Sequence, residues 1–177
     1  MYTDNTLTPK ETVRFCALGT LAETALSYSQ LAISVRHFID RVQGPSLDVL
    51  GTSIELLKYE GLVETADDNL DDPTFQITVK GRDELIELLT ANIRATNSDH
   101  NTLIEALKFR YLHLLPKPQQ RDQAELLQER AEIEVSRLID LRAHYNDEPG
   151  HLIDWLDREI DELENRIVWL DRFKQRL

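Results

Sequence analysis

The last 26 residues constrain this chain more than any other segment. Leu156, Ile160, Leu163, Ile167, Leu170 and Leu177 recur at alternating spacings of four and three, with Lys174 the one polar member of the series. Such a line predicts a long helix from about Leu152 to the end, with a coiled-coil-like seam on one face. Trp155 and Trp169 stand two heptads apart and off that seam. A second apolar line on one helix has to be covered by something. One reading is intramolecular: the seam packs on a long helix over residues 119–145, and the tryptophans on a helix over 103–115. The other gives one line to a partner subunit, because three or four helices make a thin bundle for this much apolar surface. On that reading Trp155, Leu156, Ile160, Leu163, Ile167, Trp169 and Leu170 are the candidate dimerisation residues.

The polar stretch 95–101 separates this helical region from a different pattern upstream. It divides the 177 residues into a region 1–95, with 8 basic and 15 acidic side chains, and a region 96–177, with 12 and 17. In the first region Thr8-Pro9-Lys10-Glu11 and Ser27-Tyr28-Ser29-Gln30 each carry capping-box chemistry at a helix start. Gly44-Pro45 ends the second helix, Ser46 is placed to cap a third, and Gly61 sits where a left-handed C-terminal cap belongs. Leu62-Val63-Glu64 reads as extended, residues 67–73 as a polar turn, and Phe75 to Val79 as a strand of period two. Gly81 closes that strand, and Arg82 to Ile93 reads as helical. Leu18, Leu21, Leu31, Val35, Ile54, Leu57, Leu62 and Ile77 form the expected core.

Three short helices, a two-stranded hairpin and a further helix are the order of a winged helix-turn-helix. The expected architecture is therefore mostly α: an N-terminal winged helix-turn-helix with a two-stranded wing, and a C-terminal helical, coiled-coil-like dimerisation domain. At the level of residues, Leu18-Gly19-Thr20-Leu21-Ala22-Glu23, Glu60-Gly61-Leu62-Val63 and Phe75-Gln76-Ile77-Thr78-Val79-Lys80-Gly81-Arg82 resemble the PadR family of transcriptional regulators. Leu114-Leu115-Pro116 and Ile160 to Phe173 resemble its virulence-regulator branch. The resemblance implies an antiparallel, dimer-forming C-terminal coiled coil. Two stretches depart from the family pattern. Gly51 stands where the family usually has Tyr in its recognition helix, and Asp71-Asp72-Pro73-Thr74 stand where it often has Arg or Lys.

The chemistry of most enzymes has no counterpart here. The five histidines make no metal spacing with cysteine, and there is no phosphate loop or nucleophile elbow. Cys16 falls on an apolar helix face and reads as a buried structural thiol. No cofactor and no metal are expected, and the protein reads as a non-enzyme. No apolar run approaches the roughly 20 residues that span a bilayer, so a cytoplasmic protein without a membrane partner is expected.

The leading expectation is a sequence-specific, DNA-binding regulator acting as a homodimer on double-stranded DNA. The candidate DNA contacts are Arg36, His37 and Arg41 on the second helix, and Ser46, Thr52, Ser53 and Lys58 on or beside the third. Lys80 and Arg82 at the wing, and Lys10 and Arg14 near the N-terminus, add to these. The formal net charge of −12 opposes this reading, because it repels polyanions. The alternative is an acidic protein-interaction module on a winged-helix scaffold with weak or no DNA binding. A ligand-responsive sensor, with a small-molecule effector against Trp155 or Trp169, is a third reading.

Overall fold

The computed structural model describes residues 6–44, 50–67, 71–93, 99–146 and 149–177, with 50–54 described by their backbone. It divides into two compact units, Met1–Leu114 and Leu115–Leu177. The division falls beyond the polar stretch at 95–101, because the helix that follows that stretch packs into the first unit.

Unit 1 runs α1 (Pro9–Glu23), β1 (Leu26–Ser27), α2 (Tyr28–Val42), α3 (Leu50–Tyr59), β2 (Val63–Thr65), β3 (Thr74–Ile77), α4 (Val79–Thr90) and α5 (Asp99–Tyr111). Both capping boxes form: the Thr8 side chain accepts from the Glu11 amide and the Ser27 side chain from the Gln30 amide, each with the reciprocal bond. The wing is a three-stranded antiparallel sheet in the order β1-β3-β2, one strand more than the sequence order suggested. The extra strand is two residues long, Leu26 opposite Phe75 and Ser27 opposite Thr74, too short to produce a period in the sequence. Leu18, Leu21, Leu31, Val35, Leu57, Leu62 and Ile77 are all buried as expected. The Ile54 side chain lies outside the described residues.

The helix α5 is buried almost all round: Asn101, Leu103, Ile104, Glu105, Leu107, Lys108 and Tyr111 are enclosed. Tyr111 is its anchor. The phenol oxygen lies 2.8 Å from the Thr20 hydroxyl and donates to the Cys16 carbonyl at 3.2 Å. The ring lies against Gly19, where an added Cβ would come within 2.4 Å of a ring carbon. Only a residue without Cβ lets α1 approach this closely. The Cys16 thiol beneath is fully enclosed, and burial pushes it up to about 12, which makes it an unreactive structural thiol.

Lys108 is 1 % exposed and its ammonium donates to the Leu89 carbonyl of α4 at 2.6 Å. Burial lowers its pKa from 10.5 to about 7. Between those two values the unfolded chain binds a proton that the folded chain has released. The Lys108 contribution to stability therefore rises with pH from about 7 to about 10.5 and is most unfavourable below pH 7. Urea unfolding of Lys108→Met and the parent chain tests this. The difference in stability should shift towards the parent chain as pH rises from 6 to 10, and a pH-independent difference contradicts a neutralised Lys108.

Unit 2 consists of α6 (Lys117–His144) and α7 (Leu152–Arg176) packed along their lengths. Leu127, Ala131 and Val135 of α6, and Leu156, Ile160 and Leu170 of α7, are buried. The Arg142 guanidinium forks onto the Asp157 carboxylate at one end, and Lys174 lies 4.0 Å from Glu125 at the other, so the pair is antiparallel. The seam of α7 is thus filled from within the chain, and Leu163 and Ile167 along it are half-buried. Trp155 and Trp169 remain 49 % and 46 % exposed, with Leu152 and Val168 also open.

Candidate nucleic-acid interface

The helix α3 is the element that a winged helix offers to a major groove, and its C-terminal end is clamped from three sides. The chain leaves it through Gly61, at φ +72°, whose amide bonds to the Lys58 carbonyl while that of Leu62 bonds back to Leu57. The Leu62 carbonyl then accepts the Thr78 amide at 3.0 Å and the Thr78 hydroxyl at 3.1 Å. Thr78 is also the N-cap of α4, accepting from Gly81. Gly81, expected to close the wing strand, instead lies inside the first turn of α4. A Cβ there would sit 2.0 Å from the Leu62 carbonyl oxygen. The strand accordingly ends at Ile77 and the helix begins at Val79, three residues earlier than the sequence reading placed it.

Two of the cations expected on DNA serve this clamp. The Lys80 ammonium donates to the Glu60 carbonyl at 2.8 Å, where it complements the negative end of the α3 dipole. The Arg14 guanidinium bridges Glu60 and Glu84, both at 2.9 Å. Burial disfavours its charge, but Glu84 and Glu60 outweigh that cost and hold it more firmly protonated. Arg14 is therefore a strut of the scaffold, and Lys80 is shared between scaffold and surface.

The remaining candidates are distributed as follows. Arg36, His37 and Arg41 are exposed on α2, and Lys58 and Arg82 are exposed on α3 and α4. Thr52 and Ser53 lie in the first half of α3, their side chains outside the described residues, and Ser46 is outside them altogether.

Between α3 and the wing turn lies a groove of about 670 Å³ that the sequence did not reveal. Tyr28, Tyr59 and Phe75 supply aromatic walls, and Glu55, Asp71 and Asp72 supply carboxylates. The Lys58 ammonium enters it, 5.8 Å from the centre of the Phe75 ring. Asp72 ties the wing to α2 by accepting from the Ser29 hydroxyl at 2.7 Å and the Ser29 amide at 3.2 Å. Those bonds, with one from Ser27, hold its carboxyl below the usual range. Tyr59, 90 % exposed at the end of α3, is a sequence-legible signal that the pattern reading passed over.

Among the described residues no three His, Cys, Asp or Glu side chains converge as metal ligands, and no helix is long and apolar enough to cross a membrane.

The fold of unit 1 is that of a winged helix. A family model described as "Putative AphA-like transcriptional regulator" matches residues 2–174, and the chain belongs to that PadR-like family. The description of that family is of a transcriptional regulator. Among solved structures the chain is similar to Bacillus subtilis PadR, with 15 % identity, a TM-score of 0.42 and coverage of 95 % of this chain and 96 % of that one. Similar too are the same protein in complex with operator DNA (17 % identity, TM-score 0.40, 95 % and 98 % covered) and smu.1604c from Streptococcus mutans UA159 (14 %, 0.38, 94 % and 98 %). None of the curated proteins matches the chain.

The clamp yields a direct expectation. Gly81→Ala should lower stability by about 1–3 kcal/mol, because the neighbour it meets is backbone that cannot rotate away. Chemical denaturation checks it, and a loss under 0.5 kcal/mol, roughly the scale of ordinary surface substitutions, contradicts the close approach.

Proposed function

We propose that this protein is a homodimeric, sequence-specific DNA-binding transcriptional regulator of the cytoplasm. The family match over residues 2–174 carries the proposal, together with a winged helix whose third helix ends in a rigid clamp. Base edges are read by Thr52 and Ser53 in the first half of α3, by Lys58, and by Ser46, which lies outside the described residues. Phosphates are met by Arg36, His37, Arg41, Arg82 and, in part, Lys80.

The cations are few, so the salt dependence should be shallow. Each phosphate contact contributes about 0.9 to the slope of log K against log salt, and two to four contacts per subunit give a dimer slope of roughly −4 to −7. Fluorescence anisotropy on a DNA fragment across a salt series measures it. Neutralising Arg36 and Arg41 should flatten the slope and weaken all sequences alike. Arg14→Gln should lower stability while leaving the slope unchanged. A slope unaffected by the α2 cations sinks this interface.

On this reading the second copy packs against the off-seam line of α7. Leu152, Trp155 and Trp169 are exposed there, and Trp169 stacks on Phe173 with ring centres 5.4 Å apart. Because Leu156, Ile160 and Leu170 already fill the intrachain seam, the exposed faces of the tryptophans are the surface offered to a partner on this reading. Trp155→Asp with Trp169→Asp should give folded monomers in light scattering. A wild-type monomer at micromolar concentration rejects the dimer.

One observation favours a second reading. The carboxylates beside α3 repel phosphate, as an acidic protein-interaction module on a winged-helix scaffold would require. Absence of measurable DNA binding at low salt would favour that module.

A further inference from the structure

We propose that the groove between α3 and the wing binds a zwitterionic aromatic ligand of the amino-acid class, its ring against the aromatic walls and its two charges on Glu55 and Lys58. The proposal concerns the protein alone and does not rest on the DNA reading.

The shape of the groove suits a flat ring. Its volume of about 670 Å³ lies within the usual range for small-molecule sites. Tyr28 and Phe75 meet edge to face, ring centres 6.4 Å apart at 66°, and form a corner against which a third ring can pack. Pro73 extends the apolar wall. Tyr59, also on the lining, is 90 % exposed and offers an aromatic face that a bound ring would cover.

The charges of the groove select the rest of the ligand. Asp72 is bonded to Ser29, and Asp71 is engaged by a contact of its own. That leaves Glu55 and Lys58 on the lining. They stand three residues apart on α3, a spacing at which opposite charges ordinarily meet. Among the described residues, however, neither makes a hydrogen bond or an ion pair. The Lys58 ammonium lies instead 5.8 Å from the centre of the Phe75 ring, drawn there by the ring face. One carboxylate and one ammonium are thus held apart on the same helix beside an aromatic corner. A ligand that carries an ammonium and a carboxylate beside its ring answers both, each through a charge-assisted hydrogen bond. An amine gains Glu55 but meets Lys58, an acid gains Lys58 but meets Glu55, and an uncharged ring gains neither.

Isothermal titration of the full chain with L-tryptophan tests the site, with tryptamine and indole-3-propionate as controls that each keep the ring and one charge. L-tryptophan should bind at one site per chain, with both controls at least about tenfold weaker. Glu55 and Lys58 are exposed, so substitutions there leave the core intact. Lys58→Met should weaken L-tryptophan by about three- to tenfold without weakening tryptamine, and Glu55→Gln should weaken it likewise without weakening indole-3-propionate. This crossed pattern separates recognition of the two charges from a general loss of the groove. Binding of L-tryptophan no tighter than that of both controls overturns the proposal, as does a Lys58→Met or Glu55→Gln variant that binds it as well as the parent chain.

Discussion

The backbone of Leu62 is the point on which the functional half of this molecule depends. Its carbonyl oxygen accepts two bonds from Thr78 and is approached by Gly81 so closely that no Cβ fits between them. Through it the exit of α3, the second wing strand and the entry of α4 are one rigid joint. Arg14 and Lys80 both close on Glu60, one residue before the Gly61 turn, and extend that joint to α1. A helix that reads a groove must present its side chains within a fraction of an ångström, and sites on supported elements achieve this where loops do not. The joint supports α3 at its end, and the core supports it through Leu57, which is fully buried.

Charge is the second constraint. A chain of net −12 can approach a polyanion only where its cations are gathered and its carboxylates are tied up. Several of them are: Glu60 and Glu84 hold Arg14, and Asp72 is spent on the N-terminus of α2, where it complements the helix dipole.

Much of the fold was legible because local chemistry announces it. The boxes at Thr8 and Ser27, the left-handed Gly61 and the long helix α7 all stand as read. The features that escaped are those set by tertiary contact. Gly81 resembles a strand terminator in sequence, yet it lies in a helix because the Leu62 carbonyl occupies the space of its side chain. Two-residue β1 has no period to detect. Lys108 is a charge that any pattern reading sends to solvent, yet it lies on the face between Ile104 and Tyr111 that α5 turns inward. The same burial moves α5 out of the second region and into the first unit. The exposure of the α2 cations could be read from sequence, but the structural employment of Arg14 and Lys80 could not. The groove needed residues 28, 55, 58, 59, 71–73 and 75 brought together by the fold.

The central claim is that this clamped winged helix reads a defined DNA sequence as a dimer. Incubating the purified full chain with sheared genomic DNA, recovering the bound fragments and sequencing them tests it most directly. A two-fold symmetric regulator should enrich an inverted repeat whose half-sites lie about one helical turn, roughly 10 base pairs, apart. Recovery of fragments with no shared sequence, at a salt concentration low enough for any DNA to bind, would contradict it.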